Sequence, residues 1–419
     1  MPRLNAHRTW LVYRGIDSFA MALSWTVAAV FFVTELEMSP LTLILTGTAM
    51  EVAYFLFEVP TGIVADTYSR RMSIVIAMFV MGLSFVATGL APGVAVVLIA
   101  AAFTGFGWTF KSGAEDAWLA DEVGLDNVAR SYQRGAQFGR AGALAGIGAA
   151  VGLALFDLRL PIVAGGLVMI GLGVLLALLM PETGFRPARY EGIGAVRAMA
   201  RTGAQGGRLL RGRPILLLIV GIAFFAGMWS EGIDRLWEAH LLVDVGVPGL
   251  GSLDPVVWFG VLSAGVLLLA ILVAQPLVQR FERLSRAGMT RMLLAFDAVT
   301  IVGTLAFALA GSFALAVTAY WATRVFRSLA GPVYATWLNT SIDDSRVRAT
   351  VISMTNLGDS AGEWGGGPAL GVLGNAFGIR TALAASAGAL APALLLYGRA
   401  LRHHGREPEL AEARPAEAL

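Results

Sequence analysis

Twelve long apolar runs separated by short polar links dominate the pattern of this chain. They fall at about residues 9–34, 40–64, 72–91, 93–115, 132–156 and 160–180, then at about 214–243, 254–279, 289–310, 312–336, 348–374 and 378–401. Each is long enough to cross a hydrocarbon core ~30 Å thick as an α-helix. Backbone groups in lipid must be satisfied within the segment, which selects helices, and nothing shows the short alternating strands of a barrel. The pattern predicts an all-α integral membrane protein with twelve transmembrane helices (spans 1 to 12). The expected division is an N-terminal six-helix bundle at 1–180, a linker at 181–213, a C-terminal six-helix bundle at 214–402 and a polar tail at 403–419.

The two halves repeat. Gly15-Ile16-Asp17 returns as Gly232-Ile233-Asp234, Phe110-Lys111-Ser112 as Phe326-Arg327-Ser328, and Trp118-Leu119 as Trp337-Leu338. Gly139, Gly146, Gly148 and Gly152 return as Gly358, Gly365, Gly367 and Gly371, and Arg71-Met72-Ser73 as Gly288-Met289-Thr290. The near-constant offset and the conserved order argue for duplication. Parallel six-helix repeats are the organisation of a transporter with its site at the repeat interface.

Composition agrees with the pattern. The chain is 57% hydrophobic and 14% charged, against about 25% charged in soluble domains. The net charge of +2 does not point to nucleic acid, because the arginines sit in alternate links. Arg3 and Arg8 precede span 1, Arg70 and Arg71 follow span 2, and Arg130 and Arg134 follow span 4. Arg186 to Arg213 fill the linker, Arg280 to Arg286 follow span 8, Arg346 and Arg348 follow span 10, and Arg399 to Arg406 follow span 12. By the positive-inside rule both termini are expected in the cytoplasm of a cell whose plasma or inner membrane the chain crosses. The linker from Gly192 to Arg213 reads as a basic segment lying on the membrane surface. With no cysteine and only four histidines, no metal site or cofactor is expected. No Ser-His-Asp arrangement suggests an enzyme. A membrane-embedded enzyme or receptor is therefore set aside in favour of a transporter, expected to act as a monomer on a small-molecule substrate.

The densest polar stretch is Pro60-Thr61-Gly62-Ile63-Val64-Ala65-Asp66-Thr67-Tyr68-Ser69-Arg70-Arg71-Met72, a tight reversal between spans 2 and 3. Gly62, Asp66 and Arg70 share one face at helical spacing. This stretch resembles the signature loop of the major facilitator superfamily. Three further stretches resemble the family's twelve-helix drug:proton antiporters, the tetracycline and macrolide exporter group. They are Glu58-Val59-Pro60-Thr61-Gly62, Ser112-Gly113-Ala114-Glu115-Asp116-Ala117-Trp118-Leu119-Ala120-Asp121-Glu122, and Arg348-Ala349-Thr350-Val351-Ile352-Ser353. The resemblance implies the major facilitator fold of two pseudo-symmetric bundles, multidrug efflux driven by proton entry, and a role in antibiotic resistance. It also implies that Gly62, Asp66, Arg70 and Arg71 form a cytoplasmic gate, with Asp66 closing on the start of span 11 near Arg348 to Ile352. The chain departs from the group at Ala101 and Ala102, where an arginine often stands before the glycine of helix 4. It departs again at Ala149, opposite Pro368 in the repeat. Lipid or lysophospholipid flipping, and proton-coupled uptake, are the alternatives on the same fold.

A charge within a span costs a few kcal/mol or more unless paired or hydrated, so each is a functional candidate. Arg14 and Asp17 share a face of span 1 and are expected to neutralise each other. Glu51 and Glu58 follow one side of span 2. Lys111, Glu115 and Asp116 cluster at the end of span 4. Arg140 is expected about 12–15 Å into span 5, with Asp359 as its repeat counterpart in span 11. Glu363 follows Asp359 by one turn, beside Trp364, the best pocket-lining aromatic. Glu231, Asp234, Arg235 and Glu238 crowd span 7. Asp297 is expected to pair with Arg324 or Arg327 as a structural bridge. Glu51 and Asp359 are read as proton-exchanging groups at mid-membrane.

Overall fold

The computed structural model describes residues 5–187, 214–249, 255–281, 284–342 and 348–412. The remainder of the linker, the arginine link at 343–347 and the last residues of the tail lie outside them. Among the described residues the chain is helical throughout. The first half contains α1 (Ala6–Thr34), α2 (Pro40–Thr67), α3 (Arg70–Gly89), α4 (Val94–Lys111), α5 (Ala114–Val123), α6 (Leu125–Ala154) and α7 (Arg159–Leu179). The second contains α8 (Pro214–His240), continued by a π-helical segment at Leu241–Val245, then α9 (Val256–Phe281), α10 (Arg286–Ala308), α11 (Phe313–Thr340), α12 (Arg348–Phe377) and α13 (Ile379–Glu412). These are the twelve expected spans, with the short α5 following α4.

Four boundaries differ from expectation for local reasons. Span 4 is broken at Ser112–Gly113, where Gly113 adopts φ +67°, a left-handed conformation that favours glycine. Span 5 begins at Leu125 rather than 132, after Gly124 turns the chain with φ +77°. Helix α2 runs three residues past its apolar run to Thr67. The reversal before α3 therefore shrinks to Tyr68 and Ser69. Helix α13 runs on to Glu412, into the segment read as a tail.

The repeat is visible in packing. In the first half α1 lies along α6 and α7, α3 along α7 and α4, and α2 along α4. In the second, α8 lies along α12 and α13, and α10 along α13 and α11. Glycine makes the tightest of these crossings possible: a Cβ on Gly142 would collide with the carbonyl oxygen of Gly15, and one on Gly362 with that of Phe224. The caps repeat as well. The Ser69 hydroxyl accepts from Met72 N (2.9 Å) to start α3, and the Ser285 hydroxyl from Gly288 N (3.1 Å) to start α10. Each satisfies one of the backbone donors left orphaned at a helix start.

The chain divides into two compact units, residues 1–191 with 241–264 and residues 192–240 with 265–419. The core of the first unit gathers Tyr13, Ile74, Met78, Met81, Phe85, Trp118 and Met169. Nine helices among the described residues are long and apolar enough to cross a membrane. Absent from that set are α6, α11 and α12, which carry Arg140, Arg324 with Arg327, and Asp359 with Glu363. The polarity that excludes them is the polarity a transport path requires.

Candidate functional site

In the first unit, one face of α1 presents Tyr13, Arg14 and Asp17 to α4 and α5, while Trp10 packs on Tyr132 and Gly135 of α6. Lys111, the last residue of α4, donates from Nζ to Asp17 Oδ2 at 2.7 Å, and both side chains are 4% exposed. The Tyr13 hydroxyl donates to Glu115 Oε2 at 2.5 Å. Arg14 approaches the same Glu115 oxygen at 3.5 Å, and Asp17 only at 3.8 Å. The expected Arg14–Asp17 pair is thus present, but Lys111 is the nearer partner of Asp17, and Arg14 bridges two acids. The ammonium of Lys111 also lies 5.0 Å from the Trp108 ring centre and 5.7 Å from that of Tyr13. The two acids and two bases balance, which limits the desolvation cost of burying them. Asp116 faces outward and accepts from the Tyr132 hydroxyl (3.0 Å).

A second group ties α2 to the α4–α5 break. Glu58 Oε1 accepts from the Ser112 hydroxyl at 3.0 Å, and the Tyr54 hydroxyl lies 3.2 Å from that Ser112 hydroxyl. Glu51, half-buried, stands two turns away on α2. The loop motif follows. Asp66 meets Arg70 at 3.6 Å, while Arg70 binds the carboxylate of Asp121 and donates to the carbonyl of Ala117. Arg71 donates from its side chain to the carbonyl of Ala177. Glu182 accepts from the Ser69 hydroxyl (2.7 Å) and from Arg71 N (2.9 Å), so it caps α3 from the end of α7. Glu122 does the same for the segment after α7, accepting from Thr183 N and Gly184 N. Gly62 leaves open space beside it. The motif's arginines are thus anchored within their own unit, on α5 and α7. Of residues 348–352, near which Asp66 was expected to close, the side chains of 348–350 lie outside those described.

Helix α6 places Arg140 fifteen residues from its start, hence ~22 Å along the axis, because the helix begins before the apolar run. Gly135, Gly139, Gly142 and Gly146 face α1. Arg140 shares the opposite, exposed side with Gln133 and Gln137. A solvated cation midway along a membrane-length helix needs a water-filled surface to face.

In the second unit, Arg324 of α11 binds Asp234 of α8. Of the two partners expected for Asp297, Arg324 is thus taken by Asp234, which leaves Arg327. The bridge also repeats the first unit: Asp17–Lys111 and Asp234–Arg324 each join the first and fourth spans of their half. Arg235 reaches Glu231 at 3.4 Å, and the Ser230 hydroxyl donates to Glu363 at 3.3 Å. Trp364 is 37% exposed beside Glu363. A cavity of about 280 Å³ lies within this unit, lined by Ile222, Ala223 and Ala226 of α8 and by Asp297, Arg327, Tyr334, Asp359 and Tyr397. It unites Asp297 with Arg327, and brings in Asp359. The residues sequence reasoning did not single out are Tyr13, Tyr397 and Glu182; a tyrosine or a loop acid carries no spacing signal. No cluster of metal-ligating side chains occurs among the described residues.

The Major Facilitator Superfamily family model matches residues 12–362. The chain belongs to that family. A curated relative, the uncharacterized MFS-type transporter YxaM of Bacillus subtilis (strain 168), is 22% identical over 356 residues, covering 84% of this chain and 86% of that one. Among solved structures, a mutant of the nucleoside transporter NupG superposes with a TM-score of 0.78 at 14% identity, covering 95% of this chain and 100% of that one. A bacterial homologue of the human lysosomal transporter Spinster gives 0.71 at 16%, covering 95% and 96%. A peptide transporter of the POT type gives 0.72 at 15%, covering 96% of each chain. At these identities the structures report the fold alone. The protein is therefore a multi-pass membrane transporter of the major facilitator type, a secondary transporter acting on a small-molecule substrate.

Proposed function

We propose that this transporter exports amphipathic, drug-like compounds in exchange for protons, by alternating access, with both termini in the cytoplasm. The observation that supports this most is the contact between two stretches resembling the exporter group. Glu58 and Ser112, one from each stretch, share a hydrogen bond at 3.0 Å, and Arg70 of the loop motif binds Asp121 of the second stretch. These stretches lie far apart in sequence, yet they form one polar seam from α2 through the loop to α5. In the proposed cycle the seam holds the loop end of the first unit rigid, and Asp66 is the part left exposed for switching. The balanced network of Asp17, Lys111, Glu115 and Arg14 keeps α1, α4 and α5 moving as a body, because separating its members would strand buried charges.

The test is accumulation in cells that lack their endogenous exporters, with and without the chain, across a panel of tetracyclines, macrolides and cationic dyes. The reading expects lower steady-state accumulation of at least one compound, restored by collapsing the proton gradient. Unchanged accumulation of every compound, together with faster uptake of a nucleoside, a peptide or a labelled lysophospholipid, would refute export of drug-like compounds.

A further inference from the structure

At the end of the first unit where α1 begins and α7 ends lies a polar cavity of about 590 Å³, apart from both the loop motif and the α1–α4 network. Its lining includes His7 from α1, Glu122 from α5, Asn127, Arg130 and Ser131 from α6, and Thr183 from the segment after α7. Helical spacing puts Asn127, Arg130, Ser131 and Arg134 on one face of α6. The Ser131 hydroxyl, 1% exposed, donates its one proton to the Asn127 carbonyl at 3.1 Å. The 2.9 Å contact between His7 Nδ1 and Ser131 Oγ is therefore a bond that the imidazole donates. Its Nε2 has no partner among the described residues. Glu122, the one acid in the lining, is already held by three donors: Thr183 N, the Thr183 hydroxyl and Gly184 N.

The charge around this cavity is one-sided. Arg130 lines it, Arg134 follows one turn on, Arg8 adjoins His7, and Arg186 lies three residues beyond Thr183. All four are exposed, and none has an ion pair or hydrogen bond among the described residues. Arg70 and Arg71 at the same end differ, because each is anchored within its own unit. Against the four stand only the engaged Glu122 and, in the first turn of α6, the exposed Asp126. An arginine fork fits the oxygens of a phosphate bidentately. The Asn127 amide gives one hydrogen to the Val123 carbonyl (3.3 Å) and keeps a second for another oxygen. As an imidazolium, His7 donates to the same group from Nε2. The volume falls within the ~300–1,000 Å³ of small-ligand sites, which leaves room beside a phosphate for the organic group that carries it.

We infer that this cavity is a phosphate-binding site, formed by Arg130, His7 and Asn127, for a phosphate ester such as the headgroup of an anionic lipid. The positive-inside rule puts this end at the cytoplasmic leaflet, where basic pockets between transmembrane helices take anionic headgroups; that placement rests on the orientation proposed above. A free phosphate ester presents the same oxygens. The occupant forms no covalent bond. It bridges the start of α1, the start of α6 and the segment after α7, so its binding stabilises the first unit. The site depends neither on the transported compound nor on proton exchange, and it stands if either of those readings fails.

The experiment is thermal unfolding of the full-length protein in maltoside micelles, titrated separately with dioctanoyl phosphatidylglycerol, dioctanoyl phosphatidylcholine and glycerol 3-phosphate. Phosphatidylglycerol, glycerol 3-phosphate or both should raise the melting temperature saturably. Losing a charge-assisted contact should weaken that binding roughly tenfold or more in Arg130→Gln, and His7→Phe should weaken it as well. Arg399→Gln, which removes an exposed arginine of the second unit, should bind as the wild type does. Saturation by phosphatidylglycerol alone assigns the site to a lipid headgroup, and saturation by glycerol 3-phosphate alone to a free ester. Saturation by both supports recognition of the phosphate itself. The absence of a saturable shift with either overturns the inference, as does equal affinity in the wild type and Arg130→Gln. An equal response to phosphatidylcholine overturns it too, because that reports acyl chains, and an equal loss in Arg399→Gln does so because it reports net charge. Arg130 is exposed and unpaired among the described residues, so Arg130→Gln keeps the test decisive if His7→Phe fails to fold.

Discussion

Replacing Lys111 with methionine isolates the energetics of the first unit's charge network. The Lys111 and Asp17 side chains are each 4% exposed and 2.7 Å apart, so the variant leaves a carboxylate buried without its principal partner. Breaking such a pair from one side costs about 3–5 kcal/mol. Two structural facts adjust the figure. Arg14, 3.8 Å from Asp17 and 29% exposed, recovers part of the loss. Stacking of the ammonium over Trp108 and Tyr13 adds to it, by about 0.5–2 kcal/mol. The expected cost therefore remains about 3–5 kcal/mol. The double variant Lys111→Met with Asp17→Asn leaves Arg14 and Glu115 paired at 3.5 Å and the cluster neutral again. Replacing both ions is often neutral or stabilising, so it should recover most of the stability. Reversible unfolding in mixed micelles of the wild type, both single variants and the double variant closes the cycle. A coupling below ~0.5 kcal/mol, the range of independent sites, would mean that the buried pair does not hold α1 to α4.

Three further outcomes follow from the geometry. Asp66→Asn should change stability by no more than ~1 kcal/mol, because its pair with Arg70 is partly exposed, yet abolish transport; normal transport by a folded variant would remove Asp66 from the gate. Gly142→Val should cost at least ~1–3 kcal/mol by overpacking, since even a Cβ meets the backbone of Gly15, and a melting profile like the wild type would argue against that crossing. Glu182→Ala should cost ~0.5–2 kcal/mol, the scale of a lost helix cap, and should speed hydrogen exchange at the first turn of α3 relative to the last turn of α7.

Most of the architecture was legible in the sequence because length and hydropathy in a bilayer decide it. The duplication was legible because Gly-Ile-Asp and Phe-Lys/Arg-Ser recur at a near-constant offset. The break in span 4 was not, since Ser112-Gly113 lies within an otherwise continuous helical pattern and only the positive φ of Gly113 reveals it. Side-chain partners were the least legible. Arg324 and Arg327 lie one turn apart on α11, and both were within reach of Asp297 on spacing alone. The folded chain sends Arg324 to Asp234 and leaves Arg327 in the cavity with Asp297 and Asp359. Glycine positions behaved similarly: Gly139 and Gly358 match in sequence and both face a neighbouring helix, but Gly365 is open while Gly366 packs against Met228. A one-residue rotation of the packing face erases the match. The anchoring of Arg70 on Asp121 was hidden because the acid lies in a stretch whose likeness to the exporter group says nothing of its contacts.

The account rests on proton exchange, and the direct measurement is proton movement driven by substrate alone. Purified transporter in proteoliposomes, with a pH-sensitive dye inside and no imposed gradient, should respond when an exported compound is added to one side. The account predicts a rapid proton flux opposite in direction to the compound, abolished by Asp66→Asn. Movement of the compound with no change in internal pH would contradict it.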